Sequence, residues 1–115
     1  MSRLYKDYIN ERLGREILDS DCGFAIYAFN CLGLPKPHVY IEDIYVIPSM
    51  RKSGEARRLA DIICHSAKSK GIEIAVGSVS MDAAGSEASL KVLIAYGMKP
   101  LSASNNTIFM FKEIS

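Results

Sequence analysis

Two short stretches of this chain carry residue types suited to chemistry. Glu42 and Asp43 are adjacent carboxylates inside a run, Val39 to Ile47, that is otherwise β-branched or aromatic. A carboxylate whose pKa is raised by burial can serve as a general base. Shortly after comes Arg51-Lys52-Ser53-Gly54-Glu55-Ala56, two cations and then a glycine at the start of a helical pattern. Open backbone amides and positive charge meet there at a helix N-terminus, an arrangement that takes anions, phosphate foremost.

Other chemistries find no support in the spacing. Cys22, Cys31 and Cys64 are an odd number without metal-type spacing, and they read as reduced, mostly buried thiols of a cytoplasmic protein, with a Cys22–Cys31 disulfide as the minor alternative. No metal site is expected. His38 and His65 read as surface histidines, although His38 could reach the mouth of a site. There is no Gly-Lys-Ser/Thr phosphate loop, no Gly-x-Gly-x-x-Gly after a strand and no serine-nucleophile pattern.

The elements that must position the two stretches follow from periodicity. Val39 to Pro48 reads as a buried strand, ended by a proline with no N–H for a ladder. Ala56, Leu59, Ala60, Ile62, Ile63 and Ala67 recur at helical spacing up to Gly71, which makes the following helix amphipathic. Upstream, residues 2–13 form a helix, 16–18 and 23–32 a hairpin, and Gly33 to Pro37 a loop. Downstream, 72–80 is a buried strand, 86–95 a helix, and 98–103 and 107–114 two final strands. The strand-helix-strand unit implies a right-handed parallel connection. The expected fold class is α+β, with a mixed, mostly antiparallel twisted sheet of about six strands flanked by about three helices.

With 115 residues, 49% of them apolar and a net charge of +1, the chain reads as a single globular domain, 1–115. Near-neutral charge argues against broad nucleic-acid binding, and no apolar run reaches the length of a membrane span. Arg51, Lys52, Arg57 and Arg58 form one local basic cluster; for the last two, a solvated helix face is the plain reading.

Arg51-x-x-Gly54-x-Ala56, preceded by Ile44-x-Val46-x-Pro48 and followed by an amphipathic helix, resembles the acyl-CoA motif of the GCN5-related N-acetyltransferase (GNAT) superfamily. The likeness covers residues 15 to 114. Ile41-Glu42-Asp43-Ile44 is also similar to the strand of the branch that acetylates small amines. The resemblance implies acetyl-CoA as donor, with its pyrophosphate on the amides of Arg51, Lys52, Ser53, Gly54, Glu55 and Ala56. It implies a central strand that leaves its neighbour after a bulge, and a pantetheine arm paired with Ile44, Tyr45 and Val46. The Val46 N–H would hold the oxyanion, and Glu42 or Asp43 would deprotonate the amine. Strand residues alternate in facing, so Glu42, on the side of Ile44 and Val46, is the expected base. The alternative is that both carboxylates are structural.

Three departures from the family pattern accompany this likeness. The tyrosine that usually returns a proton to the CoA thiolate corresponds to Leu93, and the usual asparagine before it to Ser86. Tyr96 is then a replacement acid, with Ser89 or water as other sources, and packing under the sheet as its plain reading. The family's opening strand and two helices are represented by one helix, so the acceptor side is expected to be open, or completed by a second copy through the apolar face of residues 4–13. Two rival readings follow: a catalytically impaired acyl-CoA-binding or regulatory module, and an α+β interaction domain with an accidental motif. The acceptor, whether a small amine or a protein lysine or N-terminus, is left open.

Overall fold

The structure, a computed structural model, describes residues 2–115. The elements run α1 (Arg3–Leu13), β1 (Glu16–Asp19), β2 (Gly23–Phe29), β3 (His38–Val46), α2 (Glu55–Ser69), β4 (Ile74–Ser80), α3 (Ser86–Ala95), β5 (Lys99–Ser104) and β6 (Thr107–Glu113), with a 3₁₀ turn at Pro48–Met50 between β3 and α2. The six strands form one sheet in the order β1-β2-β3-β4-β6-β5. Only β3 and β4 run parallel; the other four pairings are antiparallel. The expected α+β class and element order hold.

Where an expected boundary moved, local chemistry explains it. β2 ends at Phe29 rather than continuing to residue 32, because Asn30 turns the chain at φ 53 and its Oδ1 accepts the N–H of His38. His38 is no surface residue; it is 1% exposed. Its Nε2 accepts the N–H of Leu32 at 3.0 Å, so the ring proton sits on Nδ1 and is given to the Lys36 carbonyl at 2.9 Å. The ring therefore pins the 30–37 loop to the start of β3. His65 is exposed, as expected.

One face of the sheet is sealed by α2, which turns Leu59, Ala60, Ile63, Cys64 and Ala67 inward. They meet Ala25 of β2, Val39 and Ile41 of β3, Ala75 of β4 and Met110 of β6 in one core. Ala25 and Ala75, both fully buried, let the helix lie close to the strands. α1 starts from Ser2, whose hydroxyl accepts the Tyr5 N–H, and ends at Gly14 in the left-handed region, φ 64. It packs along β1 through buried Ile9 and an ion pair between Lys6 and Asp19 at 2.6 Å. Asp19 lies opposite Phe24, whereas Leu18, opposite Ala25, packs into the core beneath α2. Alternation then puts α1 on the sheet face away from α2.

The thiols are all free. Cys64 is buried, Cys22 half-buried and Cys31 exposed, so the expectation of mostly buried cysteines is met at Cys64 alone. Among the described residues no helix is long and apolar enough to cross a membrane.

Candidate active site

The sheet opens where the two parallel strands part. β3 and β4 pair only at His38↔Ile74, Val39↔Ala75 and Tyr40↔Val76. Beyond Tyr40 the strands diverge around a cleft of about 240 Å³. The cause is a bulge. On β3, Ile41 lies opposite Tyr27 and Asp43 opposite Ile26, so Glu42 is the extra residue. A bulge bends its strand, increases local twist and leaves the extra residue unpaired.

The bulge also resets which residues face where. The Ile47 N–H donates to the Cys22 carbonyl at 2.8 Å, on the β2 side, and the Tyr45 carbonyl also points at β2, against Gly23. Backbone groups alternate along a strand, so Ile44 and Val46 turn theirs to the open side. The Val46 carbonyl there accepts the Arg51 Nε at 2.9 Å. The N–H groups of Ile44 and Val46 therefore line the edge that β4 has vacated.

Glu42 and Asp43 both line the cleft and both are exposed. The expectation that only one could enter it fails, because alternation does not continue through a bulge. Nor does Glu42 share a face with Ile44. Its Oε1 accepts the Arg15 Nε at 3.2 Å, just after α1, while Ile44 packs against the core beneath α2. The burial invoked for a base is absent, since the Glu42 side chain is 39% exposed.

The turn after β3 has the expected form. Lys52 and Gly54 both adopt positive φ, 65 and 89, and Gly54 caps α2 with no side chain bonded to the helix amides. Those first-turn N–H groups stay open to an anion. A Cβ on Gly54 would meet nothing within 4 Å, so conformation, rather than crowding, is what the site requires of glycine here. Two side chains of the motif turn elsewhere. Arg51 lies over the Tyr45 ring, 5.5 Å from its centroid, and staples the strand end through Val46. Glu55 accepts two hydrogen bonds from Arg58, at 2.6 and 3.0 Å, and one from the Ser20 hydroxyl at 2.5 Å. Arg58, then Ser20, holds the Glu55 carboxyl at about 2, below its ordinary 4.5. Arg58 keeps its place on a solvated helix face, 55% exposed, and is at the same time half of a bidentate pair with Glu55,.

The far wall of the cleft comes from α3 and β4. Leu93 and Ser89 stand one helical turn apart on it, with Gly77 and Ser78 across. A Cβ on Gly77 would lie 3.3 Å from Leu93 Cδ2 and Met98 Sδ; glycine is what lets α3 approach the strand. A recess of about 200 Å³ continues the cleft past Ile44, Ala56, Val92 and Leu93 toward Arg57 and Tyr96. Tyr96 faces that recess, but its hydroxyl does not point into the cleft. It donates to Asp61 Oδ1 of α2 at 2.6 Å, and burial followed by the Asp61 and Cys64 contacts pushes its pKa upward. The ring is buried and lies beside the Lys112 ammonium, 4.1 Å from its centroid, and the Arg57 guanidinium, 5.6 Å away. Packing, its plain reading, describes the geometry.

Sequence reasoning missed Arg15, Ser20, Gly23 and Gly77. A glycine inside a strand run signals close approach, so Gly23 and Gly77 were open to detection; the long-range partners Arg15 and Ser20 carried no local signal. Among the described residues, no cluster of three or more His, Cys, Asp or Glu is placed to hold a metal.

The sheet thus splits after a bulge, and the opening leads to a helix N-terminus that no side chain caps. Residues 13–91, more than half of the chain, match the model of the Acetyltransferase (GNAT) family. The chain belongs to that family. A GNAT-family protein from Desulfovibrio desulfuricans shares the fold with a TM-score of 0.76 at 15% identity, over 95% of this chain and 78% of that one. The PaiA N-acetyltransferase of Thermoplasma acidophilum, in complex with coenzyme A, gives 0.72 at 15% identity, over 96% and 69%. A chain of the NatC complex bound to Gag peptide and CoA gives 0.70 at 13% identity, over 100% and 81%. No curated protein matches the sequence.

Proposed function

We propose that the protein transfers an acetyl group from acetyl-CoA to a primary amine by direct attack. The observation that carries this reading is the continuous opening from the uncapped N-terminus of α2 to the vacated edge of β3. The pyrophosphate sits on the amides of residues 51–56, with Lys52 adding charge. The pantetheine arm lies along Ile44, Tyr45 and Val46, in the place of a β4 partner. The Val46 N–H faces the thioester oxygen and holds the negative charge that develops there. The amine nitrogen forms a bond to the carbonyl carbon, the carbon–sulfur bond breaks, and CoA leaves as a thiolate. The amine proton passes to Glu42, directly or through water, and the thiolate is re-protonated by water or the Ser89 hydroxyl. The CoA found in two of the structural relatives belongs to those proteins and supports the donor assigned here. The three free thiols suit a cytoplasmic setting,.

Leu93 in the cleft wall and Tyr96 tied to Asp61 favour a second reading, an acyl-CoA-binding module with impaired catalysis. Melting with and without acetyl-CoA tests the cradle, since a ligand that binds only the folded state raises Tm with the logarithm of its concentration. Wild type is expected to shift upward, and Gly54→Val to lose the shift while remaining folded. An unshifted wild type at millimolar ligand refutes the cradle. Glu42→Gln then separates the two readings: an enzyme loses rate and keeps its CoA affinity, whereas a binding module has no rate to lose.

A further inference from the structure

The fork from which the cleft opens rests on a short base. β3 and β4 share three backbone pairs, His38↔Ile74, Val39↔Ala75 and Tyr40↔Val76. One end of that base is fixed by Asn30, which takes the His38 N–H on its Oδ1 and gives its own N–H to the His38 carbonyl, both at 2.9 Å. His38 therefore turns its backbone to the β2 side, and alternation turns that of Val39 toward β4. The other end is closed by side chains. The Tyr40 and Ser78 hydroxyls share a hydrogen bond of 2.7 Å, although Ser78 lies two residues beyond Val76, where the backbones have parted. Val39 and Ile41 pack beneath α2, so Tyr40 takes the opposite face of the sheet. A Cβ on Gly77 would point at Leu93 of α3, which puts Ser78 on that same opposite face. The Tyr40 ring is steadied by Phe109 of β6, which is paired with Ser78 and has its ring 6.2 Å away.

We propose that this hydroxyl pair is a clasp that fixes where the two strands part, and that Tyr40 is thereby a positioning residue for the donor. The donor role rests on the acetyl-transfer reading above. A base of three pairs is a weak hinge, and a cross-strand hydrogen bond between hydroxyls reinforces it. Ile44 and Val46 stand roughly 10–20 Å beyond Tyr40, at about 3.3 Å per residue. Over that lever, a small change of angle at the base becomes a shift of ångströms at their N–H groups. The clasp thus sets the width that the pantetheine arm must fill. Ser78 lines the cleft and Tyr40 does not, so Tyr40 acts through Ser78.

The test uses Tyr40→Phe, which keeps the ring on Phe109, together with Ser78→Ala and the double variant. Without ligand, amide hydrogen exchange at Val39 is expected to rise about tenfold in each single variant. The amide of residue 40, on the β2 side, is the unchanged control. The double variant exchanges no faster than either single one, because the same bond is lost in all three. Acetyl-CoA binding, measured by calorimetry, weakens about fivefold in all three. Unchanged exchange at Val39, or losses that add in the double variant, overturns the clasp. Unchanged binding in Tyr40→Phe overturns its positioning role, and weaker binding in Ser78→Ala alone makes Ser78 a direct ligand contact instead. Failure of the acetyl-transfer reading is distinguishable. A wild type that takes no acetyl-CoA refutes that reading and the donor role with it, while exchange at Val39, measured without ligand, still decides the clasp.

Discussion

Glu55 shows how one side chain inside the turn between β3 and α2 serves the frame. Its carboxylate ties the start of α2 to Ser20 in the β1–β2 turn and to Arg58 one turn along the helix. These bonds also neutralise a negative charge that would otherwise oppose an anion at the helix N-terminus. Its folded pKa of about 2 lies below its ordinary 4.5, so this stabilisation is complete above about pH 4.5 and fades as pH falls toward 2. Urea denaturation of wild type and Glu55→Gln across that range is expected to show wild type ahead at neutral pH and the gap closing with acid. A gap independent of pH refutes the account. At the same scale, Gly54 is required by its backbone, φ 89, where any L side chain is strained.

At the scale of elements, the site is a consequence of how β3 is held. On one side β2 is pressed against it: a Cβ on Gly23 would come within 2.3 Å of the Tyr45 carbonyl oxygen. On the other side β4 lets go after Tyr40. The Val46 N–H is aimed into the opening because Ile47 is bonded to Cys22 and Arg51 grips the Val46 carbonyl. Gly23→Ala must push β2 and β3 apart, and it is expected to cost about 1–3 kcal/mol of stability. Under the acetyl-transfer reading it lowers kcat more than the affinity for CoA, since it disturbs the oxyanion donor and leaves α2 in place. Denaturation and steady-state rates measure both; an unchanged midpoint refutes the close-contact account.

For the whole molecule, the unfinished surface is on α1. It buries Ile9 but leaves Leu4 80%, Tyr8 54% and Leu13 57% exposed. These exposed apolar side chains form a face that a second copy of the chain would cover,. Sedimentation is expected to show a dimer that dissociates in the Leu4→Lys, Tyr8→Lys double variant. A monomer at all concentrations assigns the helix face to something else.

The sequence by itself determined the order of elements, the strand-turn-helix that carries the motif, and the glycine at the helix cap. Those features arise from local causes: side-chain periodicity, proline and glycine chemistry, and the unpaired amides of a helix start. Tyr96 shows the limit. Its place before Gly97 was readable, but its bond to Asp61, 35 residues earlier, was not. The same holds for Arg15 with Glu42, 27 residues apart, and Ser20 with Glu55, 35 apart. Most telling is Glu42. An alternation rule assigned it to the face of Ile44, although the resemblance implied a bulge somewhere on that strand. Only the tertiary structure decided where the extra residue falls, because a bulge is set by the register between two strands and each strand alone reads as regular. That one-residue shift turned the Ile44 and Val46 amides into the opening and brought Asp43 into the cleft beside Glu42.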